Sequence, residues 1–378
     1  MRALPFESPS AMPLGSALLI VLLALLLGGG ASASADEACL DCHGESGLTL
    51  SFPNGDSRDV TIDAHAWETS VHGEMGLSCT DCHTSISDYP HPEIHDRSSR
   101  DFTLRLYTTC KTCHEEQFQE TLDSVHQHAL AAGNKKAAVC ADCHNPHTQP
   151  RITDPDTGKL LPAARLAIPK TCARCHGAIY AEYRKSVHGS ALVTGNPDVP
   201  TCIDCHGVHN IPNPLTPEFR LASPQMCAKC HTDKRKMAKY GLSTAVYRTY
   251  VTDFHGSTVT LFEHTHPDQV TNKPVCFDCH GIHDIANPED PKRGLEIKAN
   301  LLAVCRRCHP DATTNFPSAW LSHYVPSPEH NALVYWAGVF YRILIPAVIG
   351  GMVLFVASDV VRRRLDRRRR HGDRIEPS

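Results

Sequence analysis

Between positions 172 and 211 the chain reads Cys-Ala-Arg-Cys-His, a spacer containing Ser-Val-His-Gly, and then Cys-Ile-Asp-Cys-His-Gly-Val-His-Asn-Ile. Two thiols three residues apart with an imidazole directly after them suit one kind of chemistry. Cys-x-x-Cys-His takes two thioether bonds to the vinyl groups of a porphyrin and presents its histidine to one face of the iron, which is how c-type haem is attached. The other face then needs a second ligand from elsewhere in the chain. This block offers two attachment motifs and two further histidines, His188 and His209, for that second position.

All 18 cysteines fall into nine such motifs. They are Cys39/Cys42/His43, Cys79/Cys82/His83, Cys110/Cys113/His114, Cys140/Cys143/His144, Cys172/Cys175/His176, Cys202/Cys205/His206, Cys227/Cys230/His231, Cys276/Cys279/His280 and Cys305/Cys308/His309. Zinc ribbons and disulfide frameworks also use paired cysteines. Neither requires a histidine after every pair, so the expectation is nine covalently attached haems c, with the cysteines as attachment points and the nine motif histidines as proximal iron ligands.

The motifs repeat as four two-haem modules, about 39–100, 110–150, 172–214 and 227–290, followed by a half-module at 305–330. Ser-Val-His recurs at His72, His126 and His188, with Asp-Phe-His at His255 and Leu-Ser-His at His323. A second form, Cys-His-x-x-His, gives His147, His209 and His283, while the first module offers His91 or His95 instead. A histidine three residues after a proximal one cannot readily reach the opposite face of the same porphyrin, so its natural role is to ligate a neighbouring haem. Together these supply nine distal candidates for nine irons. Only Met75, Met226 and Met237 lie between positions 36 and 332, so histidine must serve nearly every distal position. All-histidine ligation favours lower potentials than His/Met.

Helices are expected over 115–130, 178–190 and 234–254, each carrying a histidine toward a haem. The Pro- and charge-rich stretches 146–169, 211–224 and 284–298 read as surface links, and strand signals are sparse. The fold class that follows is mainly α with much irregular structure, built from repeated two-haem modules, plus one C-terminal transmembrane helix. Aromatic residues make up only 6% of the chain, so the porphyrins themselves must replace much of an ordinary side-chain core.

The two ends carry topology. Residues 1–35 read as a secretory signal peptide, with Arg2, an apolar run over 14–27 and Ala33-Ser34-Ala35 as the cleavage site. Residues 333–361 are apolar and, at about 1.5 Å per residue, long enough for a bilayer of about 30 Å. Tyr335, Trp336 and Tyr341 mark one interface. Arg362 to Arg364 and Arg367 to Arg370 mark the other, so residues 362–378 form a basic tail placed in the cytoplasm. The haem domain, 36–332, then faces the periplasm of a single-pass protein in a bacterial inner membrane. Between 36 and 332 the chain has 27 Lys+Arg against 36 Asp+Glu, about −9. The arginine tail needs no nucleic-acid partner to explain it.

The Ser-Val-His-Gly spacer and the Cys-x-Asp-Cys-His-Gly-x-His runs at 202–209 and 276–283 resemble those of the multihaem c-type cytochromes of bacterial anaerobic respiration, over roughly 39–323. The stretch Ala319-Trp320-Leu321-Ser322-His323-Tyr324, leading into the apolar segment, is similar to membrane-anchored cytochrome subunits of quinone oxidoreductases. Those work beside a membrane cytochrome b. The resemblance implies electron exchange between the quinone pool and periplasmic cytochromes, with no catalytic residue in this chain. A different class, a terminal reductase of the nitrite or hydroxylamine type, needs one haem with an open iron position. The lysine-ligated motif of such enzymes, Cys-x-x-Cys-Lys, does not occur here, and the irregular first module is where an open position would fall. A free cytochrome filament is opposed by the anchor.

Overall fold

The computed structural model describes residues 35–87, 90–319, 323–329 and 331–372. The expected signal peptide lies outside these residues except for Ala35, as do Trp320, Leu321 and Ser322. By its internal contacts the chain forms two compact units. One runs to Ala167 and includes Gly207–Pro212; the other takes Ile168–His206 and the chain from Asn213 onward.

The structure is mainly helical, in short pieces joined by irregular chain. The three expected helices are each broken, and the break is chemical. Helix 115–130 is two, Glu115–Leu122 and Val125–Ala131. Helix 178–190 is Gly177–Tyr183 followed by Val187–Val193. The third stretch, 234–254, divides into Lys234–Ala238, Val246–Thr252 and the start of Phe254–Thr265. Ser124, Ser186 and Asp253 sit at the breaks, where a short polar side chain satisfies the first N–H groups of a new helix better than it continues the old one.

The stretches read as links also need correction. Pro162–Ala173 and Pro217–His231 are helices that begin inside them. Proline at the first helical position loses no hydrogen bond that a helix would have made, and Thr216 caps the second helix by accepting from the Phe219 N–H at 3.3 Å. Both helices deliver the first cysteine of a module, Cys172 and Cys227, as Lys298–Cys305 delivers Cys305.

In the first unit the strands Thr49–Ser51 and Ser57–Asp59 form an antiparallel hairpin with Leu50 opposite Arg58. Arg58 reaches Ser99 and Thr103 on helix Ser99–Leu106, its Nη2 lying 2.6 Å from Thr103 Oγ1. Buried Phe52 and Phe102 fill the space below, ring centroids 6.1 Å apart. In the second unit Leu221, Val259 and Val275 make the apolar cluster, each 1% exposed, with Phe262 and Phe277 against them. Among the described residues eleven apolar side chains are buried. So few cannot close the interior of either unit unaided.

The C-terminal helix runs Ala332–Gly372, through Pro346 and beyond the apolar stretch. It is long and apolar enough to cross a membrane, and none of its apolar window is buried. The basic tail is therefore helical as far as Gly372, and Asp359 pairs with Arg363 one turn away at 2.7 Å.

Candidate haem sites

The second motif of each module rides on a very short helix: Cys79–Cys82, Cys140–Cys143, Cys202–His206 and Cys276–His280. Four or five residues do not hold a helix by themselves. The aspartate between the cysteines does much of the holding. Asp81, Asp142, Asp204 and Asp278 accept from the backbone N–H of Ser78, Val139, Thr201 and Val275 at 2.7, 2.8, 2.6 and 2.6 Å. In two modules an arginine clamps the same carboxylate. Arg100 grips Asp142 through Nη1, and Arg220 grips Asp278 with one nitrogen on each oxygen at 3.0 and 2.8 Å. Arg220 also lies over the Phe277 ring, 5.4 Å from its centroid. Reading the sequence for ligands missed this positioning role, although aspartate at the same place in every second motif was its signal.

The Ser-Val-His-Gly segment has an equally local explanation. The serine caps a new helix: Ser70 Oγ accepts from Gly73 N–H at 3.1 Å and Ser186 Oγ from Gly189 N–H at 3.0 Å, with Asp253 doing the same for Gly256 at 2.9 Å. Ser70, Ser124 and Ser186 are all buried. A side chain at Gly73, Gly189 or Gly256 would run into the carbonyl oxygen of Trp67, Tyr183 or Tyr250 in the preceding helix. Here glycine permits close backbone approach. The valine N–H then ties the segment to a distant carbonyl, Val71 to Gln149, Val125 to Ile211 and Val187 to Ile285, at 2.8–2.9 Å. Each acceptor lies two residues after a Cys-His-x-x-His histidine, so one backbone bond joins the two kinds of distal candidate.

With those elements in place, eight of the nine proximal histidines stand opposite one second histidine. In the first unit the pairs are His43–His91, His83–His147, His114–His72 and His144–His209, with centroids 6.2, 6.1, 6.2 and 6.5 Å apart. In the second they are His206–His283, His231–His188, His280–His323 and His309–His255, at 6.0, 6.3, 6.1 and 6.4 Å. Two metal–nitrogen bonds of about 2 Å in line, plus a ring radius on each side, require roughly 6 Å between centroids. The spacing thus fits one iron held between two imidazoles. His126 and His176 belong to different units; His126 follows the cap Ser124, whose Oγ accepts its N–H at 3.3 Å. His95, the alternative to His91, is exposed and joins no ring pair among the described residues.

A zinc ribbon needs its ligands clustered. Among the described residues no group of three or more His, Cys, Asp or Glu comes together, and no disulfide links the cysteines. Comparison with known proteins points the same way. Residues 71–155 match the family described as Cytochrome c3, and residues 195–236 match the doubled CXXCH motif. A 74-residue stretch is 34% identical to Cytochrome c-552 of Haemophilus ducreyi, covering 18% of this chain and 13% of that protein. The chain is a multihaem c-type cytochrome. Its activity is electron transfer through bound haem.

The cytochrome brings many of its anchoring thiols together in motif order within each unit. The Cys110 thiol donates to Cys140 and the Cys202 thiol to Cys172, raising the donor and lowering the acceptor to about 7. Cys276 donates likewise to Cys227. Cys79 is raised to about 12 by burial and by the neighbouring carboxylate of Asp36, with Cys39 beside it. Cys82 neighbours Cys110 and Cys113, Cys205 neighbours Cys227 and Cys230, and Cys279 neighbours Cys305 and Cys308. Porphyrins bonded at these sulfurs stand next to one another along each unit.

Two of the cysteines expected as attachment points, Cys42 and Cys175, need a correction to that picture. Both are exposed, and neither takes part in the thiol contacts just described. The structure therefore does not set them within a protein-walled site. The reason lies in where each sits. Cys42 is in the last turn of helix Ala35–His43, and Cys175 lies two residues past the end of helix Pro162–Ala173. At a helix end the chain turns away, and no packed side chain covers the sulfur. A porphyrin edge bonded there would itself supply the cover, which fits a fold whose interior is completed by its cofactor.

The imidazoles are kept in the metal-binding form. Burial lowers His147, His188 and His280 to about 4, so they are neutral at ordinary pH. His43 and His72 donate Nδ1–H to the carbonyls of Val60 and Pro146 at 2.9 and 3.0 Å, which leaves Nε2 for the iron. Around His280 and His323 a cleft bounded by Cys276, Cys279, Val275, Leu295 and Leu301 offers the apolar walls a porphyrin requires.

Proposed function

We propose that the cytochrome carries nine haems and relays electrons as a membrane-anchored protein, its haem domain in the periplasm and its C-terminus in the cytoplasm. Electrons pass between the quinone pool, through a membrane cytochrome b or quinone oxidoreductase partner, and periplasmic cytochromes serving anaerobic respiration. The observation that carries this reading is the pairing of histidines at about 6 Å. An iron with imidazole on both faces has no position for a substrate, whereas one-electron exchange needs none.

Bound haem supplies the one-electron Fe(III)/Fe(II) couple. The residues do the rest. The cysteines fix each porphyrin beside the next, the capped helices aim the histidines, and the apolar walls keep water from the irons. The C-terminal helix, with arginines past its apolar stretch, fits a span that holds the row at the membrane surface. The terminal-reductase alternative requires an open iron. The first module, where the sequence placed that opening, has His91 opposite His43 instead, with rings inclined by only 16°.

The purified full-length protein tests this directly. A pyridine haemochrome assay is expected to give nine haems per chain, and paramagnetic resonance wholly low-spin ferric iron that does not respond to nitrite or hydroxylamine. A substantial high-spin signal that shifts with either substrate would favour the reductase. Removal of residues 333–378 is expected to release a soluble red protein that quinol in membranes no longer reduces. Undiminished quinol-driven reduction would reduce the helix to a tether.

A further inference from the structure

His209 differs from other distal candidates in the group that holds its outer nitrogen. Nδ1–H of His209 donates to Oε2 of Glu120 at 3.0 Å. His72 and His91, by contrast, donate to the main-chain carbonyls of Pro146 and Pro92 at 3.0 and 2.9 Å. Glu120 lies on helix Glu115–Leu122, six residues after His114, and both it and His209 belong to the first unit. The corresponding place in the next module, six residues after His176, is Glu182 on helix Gly177–Tyr183. Burial lowers His283, and Glu182 is the next largest influence, a negative charge opposing that shift. His283 occupies in its module the place that His209 occupies in the one before. At the remaining member of this set, His147, burial and neighbouring histidines dominate, and the other charge acting is the cation of Arg58. A carboxylate beside the distal histidine is therefore a repeated feature of two modules and not of the first.

A full negative charge accepting the Nδ1 proton makes the imidazole a stronger donor to a metal on Nε2 than a neutral carbonyl does. A stronger donor, and a nearby negative charge, both favour ferric over ferrous iron. We propose that Glu120, acting through His209, sets the haem attached at Cys140, Cys143 and His144 to a lower reduction potential than its neighbours in the first unit. Glu182 does the same through His283 for the haem at Cys202, Cys205 and His206, more weakly because it acts across space. Both are positioning residues, since neither touches the iron. The proposal rests on the axial pairs His144–His209 and His206–His283 assigned above.

The test uses the full haem-loaded chain, titrated against potential and followed by absorbance and by paramagnetic resonance. Glu120→Gln keeps a hydrogen-bonding side chain and removes the charge. Its expected result is that one ninth of the haem titrates at higher potential, the oxidised-to-reduced ratio of that haem changing about tenfold at a fixed potential, equivalent to about 59 mV for one electron. The iron stays low-spin, and Glu182→Gln moves a different haem by less. His209→Ala is expected to convert one ninth of the iron to high-spin. Titration curves of Glu120→Gln that superimpose on those of the unaltered protein, or that shift for every haem alike, overturn the tuning role while leaving the axial pair intact. A wholly low-spin His209→Ala protein removes the axial pair itself and the tuning role with it.

Discussion

Replacing His188 with alanine takes away one of two rings whose centroids stand 6.3 Å apart at the His231 site. An alanine methyl cannot span that gap, so the distal face of one iron opens to water. The expected magnitude is fixed by the count of motifs: one site of nine, so one ninth of the ferric iron passes from low-spin to high-spin. The supporting helix should survive, because its start is held by other atoms. Ser186 Oγ still accepts from Gly189 N–H at 3.0 Å, and Val187 N–H still donates to the Ile285 carbonyl at 2.9 Å. Integrated paramagnetic resonance of the oxidised protein reads the fraction. Two variants sharpen the test. His188→Met restores a sixth ligand, so it should recover the low-spin signal and raise that haem's potential, since His/Met ligation lies above His/His. His95→Ala should change nothing, because His91 and not His95 stands beside His43 at 6.2 Å. Wholly low-spin His188→Ala protein, or equal high-spin signals from His188→Ala and His95→Ala, would refute the reasoning that ring spacing identifies axial pairs.

Two further substitutions probe what holds the ligands in place. Gly189→Ala sets a methyl against the Tyr183 carbonyl and should cost about 1–3 kcal/mol by overpacking, read as a lower denaturation midpoint with release of the His188 ligand; Gln127 stands at the corresponding place after His126, so Gln127→Ala should be nearly silent. Asp278→Asn breaks the two bonds from Arg220 and weakens the cap on Val275 N–H, which lies 2.6 Å from Oδ2. With Arg220 and Asp278 side chains 26% and 33% exposed, solvent screening holds the expected loss to about 1–2 kcal/mol, measured by denaturant titration.

The attachment motifs and most distal histidines were legible because their chemistry is local and repeated. His188 announces itself through the same Ser-Val-His that precedes His72 and His126, and the structure sets His188 and His72 opposite proximal rings. What could not be read was which histidine faces which, since most pairs join residues from different modules: His209 stands 6.5 Å from His144, and His255 6.4 Å from His309. Sequence separation carries no sign of that exchange. Nor does a motif show how far the protein covers its own sulfurs, which is why Cys42 and Cys175 read like the other sixteen cysteines yet lie exposed at helix ends. The broken helices were misjudged for a related reason. Ser124 and Ser186 looked like tolerable interruptions of an apolar period, but each is a buried cap. The links were misjudged because proline was taken as a terminator, when Pro162 and Pro217 start helices.

The pairings follow one rule. The Ser-Val-His or Asp-Phe-His histidine of a module faces the first motif of the next, as His72 faces His114, His188 faces His231 and His255 faces His309. The Cys-His-x-x-His histidine of a module faces the second motif of the one before, as His147 faces His83, His209 faces His144 and His283 faces His206. A module therefore holds haem attachment points whose irons it does not close, and histidines whose irons it does not attach. This explains why Gly207–Pro212, which carries His209, groups with the first unit although its own motif, ending at His206, groups with the second. It also explains why so few apolar side chains suffice. The links between modules are metal–ligand bonds and the valine N–H bonds beside them, made once each porphyrin is attached. The irregular ends then have a reason: His43 has no earlier module and takes His91 from its own, while His280 has no complete later module and takes His323 from the half-module. The half-module is thus the cap on a repeating array, much as terminal repeats close other repeat proteins.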